Sequence, residues 1–208
     1  AGRYWFATQP TLNRLADDRA KTLPTHEVSD WIVSRLREDT KRKEHFARVY
    51  NAPDEPSAID ETRDLSLVVL GPTYSHLGRS ITATTAVVAV QDALLRCRTT
   101  QRRFRNSLIF IAPDETELSK ASDVAARAIA WQSIVDDKVV TAQLTGAQRE
   151  DATSKAKQHR EAAERAIRTA WCHIFYPISS DMPGQPFQLE QQVLANRGDK
   201  PIAIAVYD

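Results

Sequence analysis

The chain has 208 residues, with hydrophobic residues at 42% and charged residues at 26%. That composition is near the globular average and excludes a disordered or fibrous chain. The 28 basic and 27 acidic residues leave a net charge of +1, so any electrostatic recognition has to come from local clusters rather than from an overall field.

The chain opens at Ala1-Gly2 rather than at Met, which suggests a segment of a longer protein, and a charged leader with an apolar core of the secretory kind is not seen. Tyr4-Trp5-Phe6 follow; an apolar anchor for the N-terminal segment is the commoner use of such a triplet, and base stacking the alternative. A helix is predicted after Pro24-Thr25, carrying Val28, Trp31, Ile32, Leu36, Phe46 and Val49 around a charged middle. Residues 51–61, with Pro53 and Pro56, read as a loop that hands this helical part, residues 1–60, to an α/β core over 61–208.

Four apolar runs have strand character: Leu65 to Leu70, Ser107 to Ala112, Trp171 to Tyr176 and Ile202 to Val206. They are continuous rather than alternating, the pattern of strands covered on both faces. The connections are long enough for crossover helices, so the fold class is α/β: a mainly parallel sheet of about four strands with helices on both faces and a helical N-terminal part. A helix is expected from Ser80 to Arg96. Another follows Asp114, where Glu117 three residues on makes a start resembling a capping box. A charged helical insertion is placed around 145–168, with Ala152, Ala156, Ala163 and Ala166 as its regular apolar face. Residues 178–186 form a second loop. The longest apolar stretch, Ile81 to Leu95, is interrupted by threonines, Gln91 and Asp92 and does not read as a membrane span.

The segment from Gly71 to Ser80 follows a strand and opens a helix, as a phosphate loop would. Its spacing argues otherwise: six residues separate Gly71 from Gly78, Pro72 has no amide to give, and Arg79 stands where a lysine would. Asp114-Glu115 resembles the acidic end of a metal-handling strand, but a helix N-cap explains it more simply. Cys97 and Cys172 show no zinc or disulfide spacing and read as free thiols of a cytoplasmic protein. The five histidines show no ligand spacing.

Arg96, Arg98, Arg102, Arg103 and Arg105 crowd between a helix end and a strand. Arg96 and Arg98 suit a helix C-terminus. Arg102, Arg103 and Arg105, beside Phe104 and Asn106, fit either phosphate oxygens or a solvated, salt-bridged face.

The opening from Arg3 to Arg19, Arg103-Phe-Arg-Asn-Ser-Leu-Ile-Phe-Ile-Ala-Pro-Asp114 and Ala130-Trp-Gln-Ser-Ile134 together resemble a family of large prokaryotic ATPases known as domain of unknown function 499. In that family the phosphate-binding loop lies upstream, and the family is linked to phage-defence gene clusters. The resemblance implies the accessory portion of an AAA-type ATPase, inactive alone, whose partners are the rest of that protein and a possible homo-oligomer. ATP and Mg would be met only through the larger protein. It further implies that Thr8, Asn13, Arg14 and Asn106 face nucleotide or a neighbouring subunit, and that Arg103 or Arg105 is an arginine finger or sensor. A non-catalytic nucleic-acid or protein interaction module is the alternative.

Overall fold

The computed structural model describes residues 8–195 and 198–207, with side chains from residue 12 onward. In chain order it runs α1 (Thr8–Thr22), α2 (Thr25–Asp39), β1 (Arg48–Asn51), a 3₁₀ turn (Pro56–Ala58), β2 (Ser66–Val69) and α3 (Thr85–Leu95). A two-residue hairpin follows, β3 (Arg96–Cys97) with β4 (Thr100–Gln101), and then a second 3₁₀ turn (Arg105–Ser107) and β5 (Leu108–Pro113). The chain continues through α4 (Glu115–Asp136), α5 (Lys138–Ala142), α6 (Gly146–Ala170), β6 (Trp171–Ile178), β7 (Gln188–Val193) and α7 (Ile202–Tyr207).

The main sheet has the order β1-β2-β5-β6-β7. β1, β2 and β5 are parallel, while β6 and β7 are antiparallel to their neighbours. Helices cover both faces. Leu67, Val69 and Ile111 pack on α2, α4 and α6, whereas Val68, Leu70, Leu108 and Phe110 pack on α3. This two-sided burial is why the strand runs are continuously apolar.

One helix against several decides strand direction. The segment through α3 carries the chain back along the sheet, so β5 starts at the end where β2 started. After β5 the chain goes out along α4 and returns along α6, and β6 therefore begins beside the end of β5. Asp114 N donates to Ala170 O at 2.8 Å at that junction. The expected α/β class with helices on both faces thus stands, with a five-stranded sheet whose parallel half is β1-β2-β5.

Three elements differ from the sequence reading. Arg48–Asn51 is a strand rather than the end of a helix: α2 stops at Asp39, and the Thr40 hydroxyl donates to Asn51 Oδ1 at 2.7 Å. Val49 and Tyr50 then point to opposite faces of the sheet, which therefore begins before residue 61. Gln188–Val193, with little apolar character, is a strand because the hairpin with β6 sets its register from Ile178↔Gln188 to His173↔Val193. Ile202 to Val206 is helix α7 instead of a strand. Its first amide, Ile202 N, donates to Asp39 Oδ2 at 2.8 Å, and Ile202 and Ala203 bury against the α2 side of the core. A five-residue apolar run has no period that separates the two outcomes. In addition, α3 begins at Thr85 rather than at Ser80, with the Thr84 side chain as its cap.

Candidate functional site

At the carboxyl ends of β2 and β5 the following segments leave for opposite faces of the sheet, α3 to one and α4 to the other, which is where open α/β sheets present a crevice. Here the crevice is filled by the protein itself. His76 N donates to Pro113 O and Glu115 N donates to His76 O, both at 2.9 Å, so the loop after β2 is laced to the head of α4. The His76 ring, 0% exposed, meets the edge of His173 at 4.7 Å and of Phe175 at 5.2 Å between centroids. Its Nδ1 lies 2.8 Å from the Thr84 hydroxyl, the cap of α3.

Asp114 is the hub. Oδ1 accepts from Thr116 N at 2.9 Å and Glu117 N at 3.0 Å, and Oδ2 lies 3.2 Å from His173 Nε2. Gln191 Nε2 donates to Gly78 O at 3.1 Å and lies 3.0 Å from His173 Nδ1. That amide makes Nδ1 the acceptor and leaves the Nε2 proton for Asp114. Burial pulls the Asp114 carboxyl upward, but the Glu117 and Thr116 amides and His173 outweigh it and hold it below its ordinary value. Burial, with the nearby His173 second, pushes His76 below its ordinary value. Burial drives the neighbouring Cys172 thiol up to about 11, with the Asp114 charge adding to it, so it is no nucleophile at neutral pH.

This cluster does not fit a Mg–ATP centre. Both Asp114 oxygens are already taken, as capping predicts, and no group of three or more potential metal ligands occurs among the described residues. The Gly71 to Ser80 segment carries a histidine inward rather than amides outward, and α3 starts only at Thr85. The cluster acts as a latch joining loop, helix and sheet.

The opposite, amino edge holds the arginines, and the structure sorts them. Arg102 is a core residue, 1% exposed, whose guanidinium donates to Ile59 O at 2.7 Å, Asp60 O at 3.5 Å and Ala93 O. Arg96 and Arg98 pair with Asp92 and Asp60. Arg105 donates through Nε to Leu94 O at 2.9 Å and lies over Phe187 at 5.9 Å. Arg103 is exposed, and its guanidinium has no hydrogen-bonding or ionic partner among the described residues.

Arg103, Arg105 and Asn106 share a cavity of about 660 Å³ with Arg63, Phe104 and Ser179. Arg63 stacks over Phe104 at 5.0 Å. The parallel pairing of Ser66 with Leu108 brings Arg63 here, a residue that sequence reasoning missed because nothing local to it signals the contact. A second cavity, about 690 Å³, lies against the same Arg103-Phe104-Arg105 wall on the side of Glu61 and Thr100. Glu61 was also missed; its carboxylate accepts from Arg103 N at 2.8 Å and Phe104 N at 3.2 Å.

The remaining expected positions do not join this group. Asn13 Oδ1 accepts from Lys155 Nζ at 3.0 Å, and Arg14 lies 3.9 Å from Asp18, both on α1 and lining neither arginine cavity. The side chain of Thr8 and the Tyr4-Trp5-Phe6 triplet lie outside the described residues. Because β6 is antiparallel to β5, Pro177 to Ser180 sits at the amino edge with the arginines.

Comparisons with family models, with curated proteins and with solved structures give no match. No helix among the described residues is long and apolar enough to cross a membrane.

Proposed function

We propose that this chain is the accessory portion of a larger cytoplasmic, nucleotide-dependent protein of the AAA-type ATPase kind, supplying an α/β scaffold and an arginine pocket that meets phosphate, without hydrolysing nucleotide alone. The observation that carries this reading is the amino-edge cavity. Three guanidiniums line it with the Asn106 amide, and the Arg103 guanidinium has no carboxylate partner among the described residues. Guanidinium forks suit phosphate oxygens in bidentate geometry, and an unneutralised one at a protein surface is available to do so.

Arg103 takes the sensor role rather than Arg105, since Arg105 is anchored on Leu94 O and Phe187. The rest of the ATPase, or a neighbouring copy in an oligomer, would bring the triphosphate and Mg to this edge. An arginine delivered there stabilises charge on the transferring phosphoryl group.

The test is ATP hydrolysis by this chain and by a longer protein that includes the upstream segment. The chain alone is expected to show no turnover, and the longer protein to lose at least about a hundredfold in kcat on Arg103→Ala, given the range known for such arginines. Turnover by the 208-residue chain, or an unchanged rate in the Arg103→Ala protein, refutes the reading.

A further inference from the structure

Two open cavities flank the amino-edge segment Arg103-Phe104-Arg105. Resting on the phosphate-recognition reading above, we infer that this edge is a binding track for single-stranded nucleic acid, and that Glu61 is an internal stand-in for one of its phosphates.

Three observations point this way. The first is the shared wall. Cavities of about 660 and 690 Å³ lie against the same Arg103-Phe104-Arg105 segment, more room than one phosphate or one mononucleotide needs. A chain crossing Phe104 would enter both.

The second is the alternation of flat apolar and cationic groups. Phe104 is 37% exposed and carries Arg63 on its ring, while Arg105 lies over Phe187. Single-stranded nucleic acids are held by this combination, in which aromatic and guanidinium planes stack bases and nearby cations track the backbone. An acidic peptide would use the cations and leave the ring without a role.

The third is Glu61. Its carboxylate takes both consecutive amides, Arg103 N and Phe104 N, although it is exposed and comes from a distant loop. The two successive amides each donate to one oxygen of the same carboxylate, and two phosphate oxygens can take the same pair of donors. In the free protein Glu61 fills that seat and neutralises part of the local charge. A strand phosphate would have to displace it, so the residue sets a threshold for binding.

The test is fluorescence anisotropy with a labelled oligothymidylate of about 15 nucleotides, competed by tripolyphosphate, oligoglutamate and duplex DNA of equal length. The chain is expected to bind the single strand with a slope of log Kobs on log salt near −2, as about three phosphate contacts predict. Phe104→Ala should weaken the oligonucleotide at least about tenfold and leave tripolyphosphate unchanged, while Phe104→Trp should restore binding. Glu61→Gln, which keeps one acceptor but removes the charge, should tighten the oligonucleotide several-fold. Urea melts of each variant confirm that it is folded.

Equal binding of oligoglutamate or duplex overturns the inference, as does a Phe104→Ala loss that tripolyphosphate shares. Weaker binding by Glu61→Gln overturns the stand-in role. Tripolyphosphate binding without oligonucleotide binding removes the inference and leaves the phosphate-recognition reading intact; binding of neither removes both.

Discussion

The two edges of the sheet hold clusters of polar residues in opposite states. At the carboxyl edge Asp114, His173 and Gln191 are joined by hydrogen bonds, and the buried His76 packs edge-on against His173. At the amino edge Arg63, Arg103 and Asn106 are turned outward around open space. An open α/β sheet conventionally places its ligand at the carboxyl end; here the crevice between β2 and β5 is closed by the protein's own loop, and a cavity of about 260 Å³ remains beside the ends of β1 and β2. The difference teaches that closure by the protein's own packing, rather than position in the fold, separates a structural polar cluster from a recognition surface, even though His76 Nε2 and Gln191 Oε1 are buried without a hydrogen-bond partner among the described residues.

That contrast can be broken most severely through the one arginine that crosses it. Arg102→Met should cost about 3 kcal/mol or more in urea denaturation, because it strips donors from the buried carbonyls of Ile59 and Ala93. A loss below about 1 kcal/mol would show that Arg102 belongs with the surface arginines after all. Asp114→Ala should cost about 2 kcal/mol, combining a lost helix cap with an unpaired His173. Stability unchanged in that variant would dissolve the latch.

Acid should act on the same edge. His76 is held below its ordinary value in the folded chain, so the unfolded chain binds the extra proton first. Stability from this group is fully present above the unfolded imidazole value and falls as pH drops toward the folded one; the Asp114 carboxyl, also depressed, adds a loss at lower pH. Urea midpoints measured from about pH 7.5 to about 5 should decline, and His76→Asn should flatten that slope. An identical slope in the variant would remove His76 from the account.

The smallest effect sharpens the other side. Arg103→Ala should change stability by no more than about 0.5 kcal/mol, since its exposed guanidinium has no hydrogen-bonding or ionic partner among the described residues. Its tripolyphosphate affinity should nonetheless fall about tenfold in calorimetric titration, a fork to an anion being worth that much. A variant that unfolds instead would place Arg103 with Arg102.

Much of the scaffold was legible in the residues. The runs Leu65 to Leu70, Ser107 to Ala112 and Trp171 to Tyr176 became β2, β5 and β6 because burial on both faces demands continuous apolar sequence. Asp114 capped α4, and the alanine stripe of α6 faced the core. What escaped depends on contacts between distant segments. β7 owes its state to pairing with β6, and α7 to the carboxylate of Asp39. The arginine run was visible as a cluster, but nothing in it announced that Arg102 would turn inward while Arg103 turned out. His76 and His173, far apart in the chain, met because β2, β5 and β6 lie side by side.

The out-and-back pair α4 and α6 carries one further consequence. At about 1.5 Å per residue their 22 and 25 residues run about 33 and 37 Å, well beyond the length of a six-residue strand. Ala121, Ala125, Ala163 and Ile167 join the sheet, but Trp131, Ile134, Ala152 and Ala156 gather with Leu12 and Ala16 of α1 in a cluster of their own. The Trp131 indole stacks on His159 there, and Lys155 lies over it. The distal half of this arm therefore has the makings of an independent cooperative unit. Its amides should exchange with solvent deuterium on a different clock from those of the strands, and trimming α1 should speed the arm while leaving the sheet's protection untouched.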